Sequence, residues 1–180
     1  MMRSKSQLEE ARDLDAIVRV YREGLEDGWV DGFVVALGDD FIALEVFDKA
    51  GRLDGYNCLR YRDISELVVP APNAAFLTKA LKARGLARSD HFKVDVSSLP
   101  ALLASAGQNF PLVSVFDEGQ DNVCWIGKVV AVTEHEVRLT YINPDARFDR
   151  EPSSYLLDGI TRVDFGGSYE EALHLVAGLN

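Results

Sequence analysis

Cysteine is scarce in this chain, with only Cys58 and Cys124 among 180 residues. Neither belongs to a CxxC pair or a Cys/His cluster, which removes the usual sequence patterns of zinc ribbons and dithiol redox sites. Both are expected to be buried, reduced thiols. Long hydrophobic runs are missing too: none approaches the ~20 residues of a membrane span. The first residues, MMRSKSQLEEARDLD, lack an apolar core like that of a signal peptide, and a cytoplasmic protein is expected. Basic charge is in short supply, with 19 Lys and Arg against 29 Asp and Glu and a formal net charge of −10. Such a surface repels phosphate backbones, so a nucleic-acid partner would need a local basic patch.

The motifs of common chemistry are also missing. There is no GxSxG elbow, no GxxxxGK[ST] phosphate loop and no GxGxxG opening a helix. His91, His135 and His174 fall in a connector, a turn and the last helix, with no converging ligands beside them. Asp39-Asp40 and Asp13/Asp15 read as acidic turns and caps. No catalytic residue, cofactor or metal site is expected, and the chain is read as a non-enzyme.

What is present is a repeat. The stretch Gly32 to Ile64 recurs in altered form as Gly127 to Ile160. At an offset of 127 − 32 = 95, Val34 meets Val129, Ala36 meets Ala131, Leu44 meets Leu139, Arg52 meets Arg147 and Asp54 meets Asp149. At the end the offset is 160 − 64 = 96, so the second copy carries one extra residue. Self-similarity of this length predicts two copies of one small unit. The expected division is residues 1–86 (helix, barrel, helix) and 87–180 (connector, helix, barrel, helix).

Within each copy, short alternating runs separated by Gly, Asp and Pro predict about five strands. In the first these are AIVRVYRE, WVDGFVVAL, FIALEVF, YNCLRYRDI and ELVV. In the second they are PLVSVFDE, VCWIGKVVAV, EVRLTYI and YLLDGITRVDF. Gly32 sits inside a strand, where glycine marks a bend, bulge or close backbone approach. Ser6 with Glu9 has capping-box spacing and predicts a helix over 7–13. Asn73 and Gly85 bracket a helix AAFLTKALKAR, with Phe76, Leu77, Ala80 and Leu81 on one face. Ser98, with Pro100 in the first turn, starts a third helix that Gly107 is expected to end. Ser168 with Glu171 gives a capping box for a last helix that Gly178 closes.

This order resembles the Sm-like fold, an N-terminal helix before a strongly bent, five-stranded, SH3-like small barrel. The resemblance rests on Gly32-x-Val34…Leu37…Phe41-x-x-Leu44 and on Gly127-x-Val129…Val132…Val137-x-Leu139. It rests also on the terminal Arg62-Asp63-Ile64 and Asp158-Gly159-Ile160. It implies a mainly β chain with flanking helices, built as two tandem barrels. The uridine-binding positions of that family carry over poorly. Its aspartate and asparagine around the turn between the second and third strands fall on Gly38 and Ile42, then on Thr133 and Val137. Its arginine-glycine is split between Arg62 and Gly159.

The most informative polar recurrence is Arg52-Leu53-Asp54 with Arg147-Phe148-Asp149. Arg52, Asp54, Arg147 and Asp149 are the candidate ligand or partner loops. The competing reading is that they brace their hairpins through the turn-side bonds common for aspartate. Trp29, Trp125, Tyr56 and Tyr155 offer either stacking surfaces for bases or core packing. The basic cluster Lys79, Lys82, Arg84 and Arg88 reads as a solvated helix end. The functional expectation is a non-catalytic binding or scaffolding module for an unknown protein partner, with an RNA-binding Sm-like protein as the alternative. The copies are expected to pack as a monomeric two-fold pseudo-dimer, or to form a small homo-oligomer, consuming the strand edges that Sm-like proteins use for rings.

Overall fold

The computed structural model describes residues 2–88, 92–119 and 123–179. Four α-helices and ten strands follow in the order α1 (Met2–Asp13), β1 (Ile17–Tyr21), β2 (Val30–Leu37), β3 (Phe41–Phe47), β4 (Leu53–Arg60), β5 (Glu66–Val68) and α2 (Ala74–Arg84) in the first half. The second half runs α3 (Leu99–Asn109), β6 (Val113–Asp117), β7 (Val123–Val132), β8 (Glu136–Tyr141), β9 (Ser153–Leu156), β10 (Arg162–Phe165) and α4 (Ser168–Ala177). Single 3₁₀ turns at Tyr61–Asp63 and Leu157–Gly159 lead into β5 and β10.

All ten strands lie in one open antiparallel sheet, in the order β5-β1-β2-β3-β4-β10-β6-β7-β8-β9. This corrects the expectation of two separate five-stranded barrels. The free side of β4 pairs with β10 instead of returning to its own half, so neither half closes on itself. It also corrects the two-fold pseudo-dimer. A two-fold contact would bring the same strand from both halves together. Here the fourth strand of one half meets the fifth of the other, head to tail, with Leu59 opposite Arg162 and Tyr56 opposite Phe165.

The repeated sequence produces repeated geometry. A bulge falls between Val34 and Ala36 in β2 and between Val129 and Ala131 in β7, 95 residues on in each case. A bulge bends its strand and sharpens the twist. Gly32 lies opposite Val46, and Gly127 opposite Tyr141. A Cβ at either glycine would fall 2.7 Å from the Glu45 carbonyl oxygen or 2.6 Å from that of Thr140. Any side chain there would push the bent strand off its neighbour.

Burial follows the same repeat. Leu8 and Ala11 of α1 seal a core with Val18, Val34, Ile42 and Leu44. Leu103 and Ala106 of α3 seal a second core with Val113, Val137 and Leu139, joined by Phe41, Ala43 and Cys58 from the first half. Because this second core draws on both halves, the seam between them is dry on one face. On the opposite face α2 buries Leu77 and Leu81 against Ile17 and Phe33, while α4 buries Leu173 against Leu112 and Ile142.

Several local expectations are corrected. Helix α1 begins at Met2, so Ser6 lies inside it and caps nothing. Phe76 is exposed and only Leu77 and Leu81 of the expected α2 face are buried. Asn73 makes no capping bond, because its side chain is drawn to Asp31 and Arg19. Gly107 does not end α3 but lies within it, where a Cβ would strike Val129 of β7. Glycine there sets the distance between helix and sheet. Helix α4 is capped from the other half, since Asp54 Oδ1 accepts from the Ser168 amide at 2.7 Å. Cys58 is buried, but Cys124 is exposed.

Two glycines with positive φ separate conformational from steric demands. Gly85 (φ 65°) ends α2 with open space where a Cβ would go. Gly55 (φ 76°) has the Gly166–Gly167 backbone in that space. Gly85→Ala is expected to cost about 1 kcal/mol, the left-handed penalty alone. Gly55→Ala is expected to cost more than about 2 kcal/mol, since backbone must also move. Urea denaturation of the two variants checks the difference.

Candidate functional site

Two of the buried charged residues, Arg22 and Asp164, lie at the seam between β4 and β10. Arg22, just past β1, is fully buried. It donates from Nη1 and Nη2 to the two oxygens of Glu118 at 2.7 Å each, and from Nε to Glu26 at 3.1 Å. Thr161 Oγ1 donates to Glu118 Oε2 at 2.6 Å. The forked guanidinium suits this paired acceptance, and removing one member of such a pair costs roughly 3–5 kcal/mol because a buried charge is left behind. Burial opposes the charge on Arg22, but Glu118 and Glu26 outweigh it and hold its pKa above the ordinary value. Burial likewise opposes ionisation of Glu118, yet Arg22 and Thr161 bring its pKa below the ordinary value.

A second group continues along β10. Arg162 donates to Asp164 at 2.6–2.9 Å, to Asn57 Oδ1 at 3.2 Å and to Glu26 at 3.1 Å, and its guanidinium lies 4.8 Å from the Phe116 ring centre. Asp164 stands between Asn57 of β4 and Ser114 of β6 in the sheet register. Burial pushes its carboxyl up to about 6, against the pull of Arg162, with Glu170 adding to the rise. Ser114 is itself hydrogen-bonded to Glu170 of α4. Glu26, Asn57, Arg162, Asp164 and Glu170 border a cleft of about 440 Å³ that also reaches Trp29, Asp54 and Tyr169. Arg162 is already engaged by Glu26, Asn57 and Asp164, so the seam reads as a joint. No group of three or more His, Cys, Asp or Glu among the described residues could hold a metal ion.

The four loop residues singled out in the sequence lie in two separate hairpins. In the β3–β4 hairpin, Asp48 Oδ1 accepts from the amides of Ala50 and Arg52 at 2.9 and 2.8 Å, and Arg52 Nε donates to Asp48 Oδ2. In the β8–β9 hairpin, Asn143 Oδ1 accepts from the amides of Asp145 and Arg147 at 3.1 and 2.9 Å. The residue that braces each turn is therefore Asp48 or Asn143, an equivalence hidden from an identity search because the side chains differ. Gly51 and Ala146 take the matching left-handed position, at φ 71° and 57°. Asp54 is committed to α4, while Arg147 and Asp149 are exposed at the edge hairpin. Arg84 donates to the Ala50 and Gly51 carbonyls and Arg88 pairs with Glu45 and Asp15, which ties two of the four clustered cations to the first half. His135 and His174 lie apart, and His91 lies outside the described residues.

Two further surfaces matter. One is a cleft of about 530 Å³ between the β2–β3 and β4–β5 loops and their counterparts in the second half. Asp39, Asp40, Glu134 and Asp158 line it against Arg60 and Arg62, and Arg60 is already bonded to Asp63 at 2.6 Å. Of the four turn positions, Ile42 and Val137 are buried, a Cβ at Gly38 would overlap the Val96 carbonyl, and the Thr133 hydroxyl is taken up by its own turn, accepting from the His135 and Glu136 amides. The other surface is the free edge at β9. Trp125 and Tyr155 stack there with ring centres 4.5 Å apart, Leu156 is 73% exposed, and a hollow of about 380 Å³ includes Asp117 and Gly159. No periodic signal marked this edge, because β4, its counterpart, is covered.

Asp48→Ala is expected to lower stability by about 1–2 kcal/mol, since two turn amides lose their acceptor. Arg52→Ala is expected to change it by less than about 0.5 kcal/mol, its side chain being exposed. Chemical denaturation of both variants measures this directly. Asp164 makes a separate pH prediction. Its folded pKa lies above the ordinary 3.8, so its stabilising contribution is complete below that value and is lost as pH rises through about 6. Between pH 4 and pH 7 the wild type should therefore lose roughly 2 kcal/mol relative to Asp164→Asn, measured by denaturation at each pH. Comparison of the chain with family models, curated proteins and solved structures returned no match, so a functional reading rests on this geometry.

Proposed function

We propose that this chain is a non-catalytic binding module whose second half receives an extended segment of a partner protein along the free edge of β9. One observation carries the reading: β9 ends the sheet, whereas β4, its repeat counterpart, is paired on both sides. An unpaired strand offers a row of backbone donors and acceptors to an incoming strand. The adjoining Trp125–Tyr155 stack and exposed Leu156 supply apolar contact of the kind that anchors a peptide side chain.

The finer architecture belongs to the same proposal. Two tandem Sm-like units, over 1–86 and 87–180, left open and sharing one sheet, are supported by the repeated order of helix, five strands and helix and by the matched bulges and turns. The fold analogy alone assigns no function. RNA is the weaker reading, because carboxylates outnumber free cations around the loop cleft and the net charge is −10.

The test is selection from a random peptide library, followed by titration of the selected peptides against wild type and Leu156→Glu. Extended, alternating sequences whose affinity falls about tenfold or more in the variant support the reading. The variant replaces an exposed side chain and should fold normally. Peptide binding that ignores Leu156→Glu would overturn the β9 assignment. Saturable, salt-weakened binding of oligo-U or oligo-A, with no peptide selected, would replace it with the RNA reading.

A further inference from the structure

The strand order leaves two edges free, β5 at one end and β9 at the other. These are the repeat counterparts of β10 and β4, which form the internal seam. With 162 − 96 = 66 and 59 + 96 = 155, the seam pair Arg162–Leu59 becomes Glu66 of one copy opposite Tyr155 of another. Val163–Cys58 becomes Leu67 opposite Ser154, and Asp164–Asn57 becomes Val68 opposite Ser153. The backbone therefore fits a second copy head to tail, and such a contact repeats without end unless it closes. We infer that carboxylates at the two free edges forbid this assembly.

Equivalent positions at the seam and at the free edges differ in charge. At the seam, Arg22 of the first half meets Glu118 of the second. Arg22 corresponds to Asp117 (22 + 95 = 117), and Glu118 to Glu23 (118 − 95 = 23). The local geometry agrees, since the Glu23 amide donates to Ser65 Oγ at 2.9 Å and the Glu118 amide to Thr161 Oγ1 at 3.4 Å. Arg162, the other seam cation, corresponds to Glu66. A head-to-tail joint would thus bring Asp117 of one copy against Glu23 and Glu66 of the next. The joint keeps its backbone complementarity but holds acid where the seam holds arginine. Neither an ion pair nor a side-chain hydrogen bond engages Asp117, Glu23 or Glu66 among the described residues, so no cation of the same copy stands between them and the contact. Like charges facing one another are a strong device against a wrong partner. The inference concerns self-association and stands whether or not β9 takes a peptide.

Sedimentation velocity over a wide concentration range tests it. Wild type should sediment as a single chain. Glu23→Arg with Glu66→Arg, both on exposed side chains, places cations opposite the wild-type Asp117 and should produce association at least roughly tenfold tighter than wild type. Asp117→Arg alone should do the same from the other side. Combining all three substitutions restores like charge and should return a single chain. Circular dichroism establishes that each variant is folded. A discrete assembly formed by wild type would overturn the inference, as would a folded Glu23→Arg/Glu66→Arg variant that stays a single chain at every concentration.

Discussion

A guanidinium removed from water must find its hydrogen bonds inside the protein, and Arg22 finds them only when both halves are in place. Glu26 comes from its own half, but the forked acceptor Glu118 comes from the other, held by Thr161. Two apolar halves could slide along a shared strand edge at modest cost. A buried arginine with a bidentate partner allows one register, because a two-residue slip of β10 along β4 would strand the charge. The pairing of Leu59 with Arg162, and the positions of Asn57 and Asp164, depend on that single arrangement. The dry side of the joint, where Cys58 and Phe41 enter the core of the second half, supplies attraction without direction. Charge supplies the direction.

The division between what the sequence disclosed and what it concealed follows the range of each interaction. Features set by the chain within a few residues were legible. Gly32 and Gly127 marked the bent strands, Ser98 capped α3 with its Oγ accepting from the Ala101 amide at 3.2 Å, and Gly85 ended α2 in the left-handed conformation. Local readings went astray where a distant group intervened. Asn73 has the right identity for a cap, but Asp31 and Arg19 compete for its side chain. Gly107 has the right position for a helix stop, yet the approach of Val129 explains it. Ser168 needed no capping box once Asp54 arrived from the other half.

The joint itself carried no sequence signature. Arg22 and Glu118 are 96 residues apart and occupy non-equivalent repeat positions, so the repeat that exposed the architecture hid its most consequential pair. The same holds for the two recurring loops. An identity comparison stressed Arg52 with Arg147 and Asp54 with Asp149, whereas the shared physical element is an oxygen acceptor carried by Asp48 in one hairpin and Asn143 in the other. Repeats conserve geometry through whichever side chain can supply the needed atom. Alignment by function of the atom, not by name of the residue, recovers the correspondence.

The crossed wiring of the sheet bears on how the chain comes into being. Strand β4 ends at Arg60 and its partner β10 begins at Arg162, 162 − 60 = 102 residues later. A ribosome releasing this chain from its N-terminus delivers the whole first half, with α1 and its core, well before β10 exists. Throughout that interval β4 is an open edge, and Arg22 lacks the acceptor that comes with Glu118. Closing such long-range pairs is slow because the intervening chain must be gathered first. The second half thus completes the first, and the nascent protein carries an unfinished sheet for most of its synthesis.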